Sequence, residues 1–257
     1  MLQTRVIPVL LLQNKGLVKS VKFKNPKYLG DPLNAIKIFN EKEVDELIFL
    51  DIDASKKGCE PDYELIKDFA SECFMPVCYG GGITHIDQIK KIFTLGIEKV
   101  SLNHTALKND ELIKKAVDIY GSQSIVITVD IKKSLMGKYQ IYDHTKKKSL
   151  KTPFLEYIKH IEDLGTGELL VNNVDLDGTQ KGYDIDLLKQ VVNYVKIPVI
   201  ACGGAGKLED FQTAKKEANI SAVAAGSFFV FHGKHNAVLI TYPKYRELED
   251  LFKTKEY

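Results

Sequence analysis

The chain has 257 residues, 44% of them hydrophobic and 27% charged, which is enough apolar content to bury a full core. Thirty-six Lys and Arg stand against 34 Asp and Glu, and a net charge of +2 excludes the strongly basic surface of a nucleic-acid binder. Cys59, Cys73, Cys78 and Cys202 make neither a C-x-x-C pair nor a zinc-spaced Cys/His cluster, and no run is long and apolar enough to span a bilayer. The expectation is a reduced, cytoplasmic, soluble protein that makes no membrane contact and holds no metal or cofactor.

Short runs of Val, Ile and Leu alternate with amphipathic helical patterns from end to end. "RVIPVLL" (5–11) is the first strand candidate. After it come Lys15, Lys19, Lys22, Lys24 and Lys27, with no acid before Asp31; they read either as a solvated loop or as a mobile lid that attracts an anion. "ELIFLDI" (46–52) ends at Asp51 and Asp53, "MPVCY" (75–79) runs into Gly80-Gly81-Gly82, and "KVSLN" (99–103) ends at Asn103 with His104 next. "SIVITVD" (124–130) ends at Asp130. "GKYQIYDHTKKKSLK" (137–151) then breaks the alternation, either as a hairpin inserted after the fifth strand or as an incidental surface excursion. "ELLVNN" (168–173) leads to Asp175 and Asp177-Gly178, "IPVIAC" (197–202) to Gly203-Gly204, and "SAVAAG" (221–226) to Gly226-Ser227.

Runs this apolar belong to strands buried on both faces of a parallel sheet. Eight such units point to a single (β/α)8 TIM barrel spanning residues 1–257, with an open doubly wound sheet as the alternative. An internal repeat favours the barrel. At an offset of 122, Glu46-Leu47 meets Glu168-Leu169, Asp53 meets Asp175, Pro76-Val77 meets Pro198-Val199 and Gly81-Gly82 meets Gly203-Gly204. At an offset of 119, "VIPVLL" meets "IVITVD". Four units followed by four similar ones make a half-barrel duplication.

Barrel enzymes place their chemistry at the carboxyl ends of the strands. Gly81 and Gly82 with Asn103, and Gly203 and Gly204 with Gly226 and Ser227, read as two phosphate cradles on opposite sides of one mouth, because glycine lets backbone N–H groups approach an oxyanion. Asp130 closes an apolar strand, where an ionised carboxylate needs a task or a partner; it reads as a general acid/base or as a turn cap. Most of the six histidines read as surface or turn residues, His104 excepted. Arg5, Glu46, Lys99 and Glu168 sit at strand beginnings and can close a ring of salt bridges at the barrel bottom, as a plug or as a stabilising network.

These motifs together resemble the HisF family, the cyclase subunit of imidazole glycerol phosphate synthase. "DELIFLDIDAS", "EKVSLN", "GSQSIVITVD", "VDLDGTQKGYD" and "ACGGAGKLEDF" carry the likeness over nearly the whole chain. The resemblance implies a HisH-like glutaminase docked on the amino-terminal face, near Glu98 and Gln123. Ammonia would pass a gate formed by Arg5, Glu46, Lys99 and Glu168, cross the interior, and meet a phosphorylated ligand held by Lys19, Asp177, Gly178 and the two glycine loops. The family's two acid/base aspartates fall on Leu11 and Asp130, so the first is absent. Leucine cannot carry a proton, and general acid/base catalysis is typically worth about 10²–10⁴-fold, so cyclisation by this chain is expected to be weak or absent.

The wording of "PVLLLQNKGLVKSVKFKNPKYLGDPLNAIKIF" and "AAGSFFVFHGKHNAVLITYP" is similar to the AglZ type, a HisF-like subgroup of surface-glycan gene clusters. That resemblance implies ammonia supplied to a separate sugar N-acetyl amidotransferase that makes an acetamidino sugar. A true cyclase of histidine biosynthesis and a non-catalytic scaffold are the alternatives.

Overall fold

Eight parallel strands, β1 (Arg5–Gln13), β2 (Leu47–Asp51), β3 (Val77–Gly80), β4 (Lys99–Leu102), β5 (Ile125–Lys133), β6 (Glu168–Asn173), β7 (Val199–Cys202) and β8 (Ala222–Ala225), pair in chain order in the computed structural model. The structure describes residues 4–233 and 235–253. The ring closes where β8 pairs with β1 (Arg5↔Ala222 through Pro8↔Ala225), leaving no barrel edge exposed. This is a (β/α)8 TIM barrel. A helix of eight to eleven residues follows each strand on the outside, the last being Tyr245–Phe252. Several start on side-chain caps: Asp31 accepts from the N–H groups of Leu33 and Asn34 with Pro32 in the first turn, while Asp62, Asn109 and Asp184 each accept the amide three residues on.

Strand alternation sorts side chains into two cores. Val6, Leu10 and Leu12 of β1 pack outward against the helices, in the layer that holds the stacked Phe49 and Phe69. Ile7 and Val9 point inward, joining Ile48, Cys78, Val126, Leu170, Ile200, Ala222 and Ala224 in a largely apolar column, interrupted on one side by the buried hydroxyls of Ser101 and Thr128, 2.6 Å apart and hydrogen-bonded to each other. Leu11 extends the same inward row to the mouth and is partly buried there.

The duplication is visible in the hydrogen bonds. Leu47 donates to the Pro76 carbonyl at 2.9 Å and Leu169 to that of Pro198 at 3.0 Å, an identical start for β2 and β6. At their ends, Asp51 Oδ1 accepts from the amides of Asp53 and Ala54, and Asn173 Oδ1 from those of Asp175 and Leu176, within 3.1 Å. The same local turn chemistry therefore shapes the mouth twice.

Two excursions rise over that mouth. The lysine-rich segment is a paired hairpin and not an irregular loop, because Leu17 to Ser20 bury their side chains and Gly16 to Val18 pair with the end of β1 (Leu11↔Val18). Its second strand, Lys24–Gly30, returns through a two-residue turn in which Lys22 and Phe23 are both left-handed (φ +52° and +61°). After β5, Tyr139–Asp143 folds back antiparallel on the strand's end (Ile131↔Ile141), and Lys148–Ser149 pairs with it in turn.

Candidate functional site at the barrel mouth

The floor of the barrel carries a closed set of ion pairs. Arg5 reaches Glu46 at 2.5 Å and also pairs with Glu168, while Lys99 bonds Glu46 at 3.1 Å and Glu168 at 2.8 Å. Each cation meets both carboxylates, and the Glu46 side chain is only 3% exposed. Burial works against the charge on Arg5 and on Lys99, but the fields of Glu168 and Glu46 outweigh it and hold both cations' pKa values raised. Register explains the gathering: these residues begin β1 and β6, immediately precede β2, and begin β4. Directly above the ring lies the apolar column, with Cys78 paired to Lys99 in register. Glu98 and Gln123 are exposed at the same end, Glu98 accepting the Val77 amide at 2.8 Å and Gln123 donating to the Tyr120 carbonyl.

At the opposite end a cavity of about 250 Å³ opens among the strand ends. Glycine is required in its walls by close backbone approach. A Cβ on Gly81 (φ +124°) would stand 2.6 Å from the Asp51 carbonyl, and one on Gly203 (φ +85°) 2.7 Å from that of Asn173. The two loops face the same cavity from opposite halves of the repeat. The Gly82 N–H is taken by Ser55 Oγ at 3.2 Å, whereas the Ser227 hydroxyl, 4% exposed and beside Gly226, has no partner among the described residues. Lys19 is buried and paired with Asp177 Oδ1 at 2.9 Å, and the second Asp177 oxygen is buried without a partner among the described residues. Gly178 lets the loop after β6 close against Ser20 and Val21, and the neighbouring Asp177 carbonyl accepts the Lys22 amide at 2.9 Å.

The two halves of the mouth differ in polarity. On one side Leu11 stands opposite Leu50; at the positions related by the repeat, Asp130 stands opposite Asn172. Asp130, 4% exposed, is no turn cap: its Oδ1 accepts the Asn172 amide at 3.0 Å and its Oδ2 that of Asn103 at 2.8 Å. His144, from the excursion after β5, brings Nδ1 to 3.5 Å from the same Oδ2. His104 is locked by other means. Its Nδ1 faces Asp143 Oδ1 and the Thr145 hydroxyl at 3.2 and 3.0 Å, and Lys108 donates to its Nε2 at 2.6 Å. Burial lowers the His104 pKa despite the Asp143 carboxylate. Asp143 is itself pushed down to about 2: burial opposes its charge, but hydrogen bonds from Thr145 and Lys146 and the neighbouring His104 prevail.

The structure thus brings Lys19, Gly81, Gly82, Asn103, Asp130, Asp177, Gly178, Gly203, Gly204, Gly226 and Ser227 to one cavity with Leu11, and places Arg5, Glu46, Lys99 and Glu168 at the other end. Several residues on the cavity escape sequence reading, Asn172 and His144 among them. Asn172 lies inside an apolar strand pattern, and only its offset of 122 from Leu50 marks it. His144 is a turn residue, as expected of most of the histidines, but its turn places the ring on the cavity. The backbone after β5 reverses and carries it from 14 residues downstream onto Asp130. His85, His160, His232 and His235 are exposed. Among the described residues no group of three or more His, Cys, Asp or Glu is placed to hold a metal ion, and no helix is long and apolar enough to cross a membrane.

Comparison with known proteins agrees with this architecture. The family described as "Histidine biosynthesis protein" matches residues 5–236. A Pseudomonas aeruginosa protein named "Putative imidazole glycerol phosphate synthase subunit hisF2" is 53% identical over 249 residues, covering 97% of this chain and 99% of that protein. A Leptospira borgpetersenii protein named "Putative imidazole glycerol phosphate synthase subunit HisF" is 46% identical over 98% of this chain and 100% of its own length. The Natranaerobius thermophilus "Imidazole glycerol phosphate synthase subunit HisF" is 38% identical over 90% of this chain and 92% of its own.

Proposed function

The chain belongs to the histidine biosynthesis protein family of HisF-like barrels, and from that premise we propose that it is the ammonia-delivering subunit of a glutamine-dependent pair. A HisH-like glutaminase docks on the amino-terminal face around Glu98 and Gln123. Ammonia enters past Arg5, Glu46, Lys99 and Glu168 and crosses the interior to the mouth. The observation that carries this reading is the stacking of a closed ion-pair ring directly beneath a largely apolar, uncharged column, interrupted by the mutually bonded Ser101–Thr128 pair and continued to the mouth by Leu11 and Leu50. An apolar passage admits neutral ammonia and penalises ammonium, since an unpaired charge in such surroundings is strongly disfavoured.

The acceptor in this reading is the N-acetyl group of a surface-glycan sugar, converted to an acetamidino group by a separate sugar amidotransferase, as the AglZ-type wording of the sequence implies. Leu11 in place of an acid/base residue fits a barrel released from ring closure. The glycine loops, with Lys19, Ser227 and Asp177, then hold a phosphorylated effector that stimulates the glutaminase. The test is reconstitution with a HisH-like glutaminase and the sugar amidotransferase. Glutamine-driven amidination should exceed that supported by an equal concentration of free ammonium in a well-buffered assay and should fall when Lys99 is replaced. Amidination indifferent to the barrel would refute it.

The retained Asp130, with Asn103 and both glycine loops on the same cavity, favours a second reading, a true cyclase of histidine biosynthesis. Rescue of a histidine auxotroph by this gene would decide for it.

A further inference from the structure

Asp130 and His144 together carry a consequence that the loss of an acid at position 11 hides. Asp130 is buried, and both its oxygens are committed, one to Asn172 and one to Asn103. A carboxylate clamped by two amide donors is a fixed acceptor that can hold a neighbour in place. The neighbour is His144, with Nδ1 at 3.5 Å from Oδ2, a separation that closes to hydrogen-bond length with a small ring movement. Its side chain is 18% exposed and lines the cavity. Among the described residues its other nitrogen, Nε2, meets no hydrogen-bond partner.

Several competing groups on the cavity are engaged. His104 has Nδ1 held by Asp143 and Thr145 and Nε2 held by Lys108. Lys19 is paired with Asp177, Asp51 accepts two backbone amides, and burial pushes the Cys202 thiol up to about 12. The His104 ring stands edge-on to that of His144 with centroids 6.3 Å apart.

We propose that His144, oriented by Asp130, is the acid/base residue of this mouth and supplies the proton transfer that Leu11 cannot. The proposal takes from the reading above the mouth as the place where ammonia arrives, and differs from it in making the phosphorylated ligand there an acceptor of ammonia, as in the cyclase reading, and not an effector alone. When ammonia adds to a carbonyl carbon of a bound phosphorylated ligand, the C–N bond forms and the C=O π pair moves to oxygen. Neutral Nε2 accepts the proton that the nitrogen must shed and returns it to that oxygen, so no oxidant or further reactant is needed. Asp130 is then a positioning residue that keeps the proton on Nδ1 and the lone pair on Nε2.

Two measurements on the full chain test this. In ¹⁵N-histidine-labelled protein, neutral His144, assigned by its absence in His144→Asn, should be the Nδ1–H tautomer, and Asp130→Asn should abolish that preference. A wild-type tautomer with the proton on Nε2, or one indifferent to Asp130→Asn, overturns the proposal. The second measurement is ammonium chloride-driven turnover of the bisphosphate cyclase substrate, without glutaminase or glutamine. Wild type should be slow but faster than buffer, and His144→Asn should lower kcat about 10²-fold or more with KM little changed. Wild type no faster than buffer, or a variant within about twofold of wild type, overturns it. Because this assay bypasses the glutaminase, its failure leaves the ammonia-supply reading standing, and loss of glutamine coupling leaves His144 standing.

Discussion

Replacing Leu11 by Asp probes both the register of β1 and the chemistry of the mouth. Leu11 is only partly buried, so the change forfeits less than the roughly 1.5–3 kcal/mol of a fully buried leucine, about 1–2 kcal/mol. Its neighbours on the cavity wall, Val9 and Leu50, offer a carboxylate no donor, and Asp130 lines the same cavity, which adds about 1 kcal/mol of desolvation and like-charge repulsion. Leu11→Asp should therefore be folded but about 2–3 kcal/mol less stable, read from urea unfolding. Leu11→Asn should show most of that loss. Only the aspartate can move a proton, so ammonium-driven ring closure of the bisphosphate substrate should rise about 10²-fold or more in Leu11→Asp and stay at the wild-type level in Leu11→Asn. Equal gains in the two variants would show that polarity and not proton transfer is at work. No gain in a folded Leu11→Asp protein would mean that the inward register of Leu11 or the part assigned to Asp130 is wrong.

Lys99→Met leaves two poorly exposed carboxylates to share Arg5, and should cost about 3 kcal/mol in urea unfolding while uncoupling glutamine hydrolysis from ammonia delivery; unchanged stability would mean the ring is not closed in solution. Gly203→Ala places a Cβ against the Asn172 side chain and the Asn173 carbonyl at a left-handed φ, and should destabilise by about 1–3 kcal/mol and weaken phosphate binding by calorimetry; a neutral effect would contradict the loop geometry. Asp143 has a folded pKa below its ordinary 3.8, so its stabilisation is fully present above that value and is lost as pH falls toward about 2. Asp143→Asn should accordingly destabilise by about 1–2 kcal/mol at neutral pH, with the difference from wild type shrinking between pH 4 and 2; a pH-independent difference would refute the assignment.

Much of this architecture is written in local pattern. Eight apolar runs of strand length separated by amphipathic helices specify an alternating parallel barrel, since each strand is buried on both faces and says so in its composition. The repeat at 122 residues places the paired prolines, turn acids and glycine loops at equivalent strand ends, because turn chemistry depends on a few adjacent residues. Strand limits shift slightly: "MPVCY" and "IPVIAC" pair only from Val77 and Val199, since a proline has no N–H to give to the ladder and Pro76 and Pro198 act through their carbonyls.

What the sequence by itself determines is therefore the fold, the strand ends at which polar groups collect, and the absence of an acid at position 11. Tertiary structure alone decides which of those groups meet. Lys19 looks like one more solvated lysine until a hairpin buries it against Asp177, 158 residues away. Leu10, Leu11 and Leu12 are chemically alike, and only barrel closure sends the first and third to the helices and Leu11 to the mouth. His144 has no local signal, because its partner is reached through a chain reversal and not through spacing along a helix or strand. Distances of this kind are set by closure of the ring, a property of all eight strands at once, and no single stretch of sequence contains it.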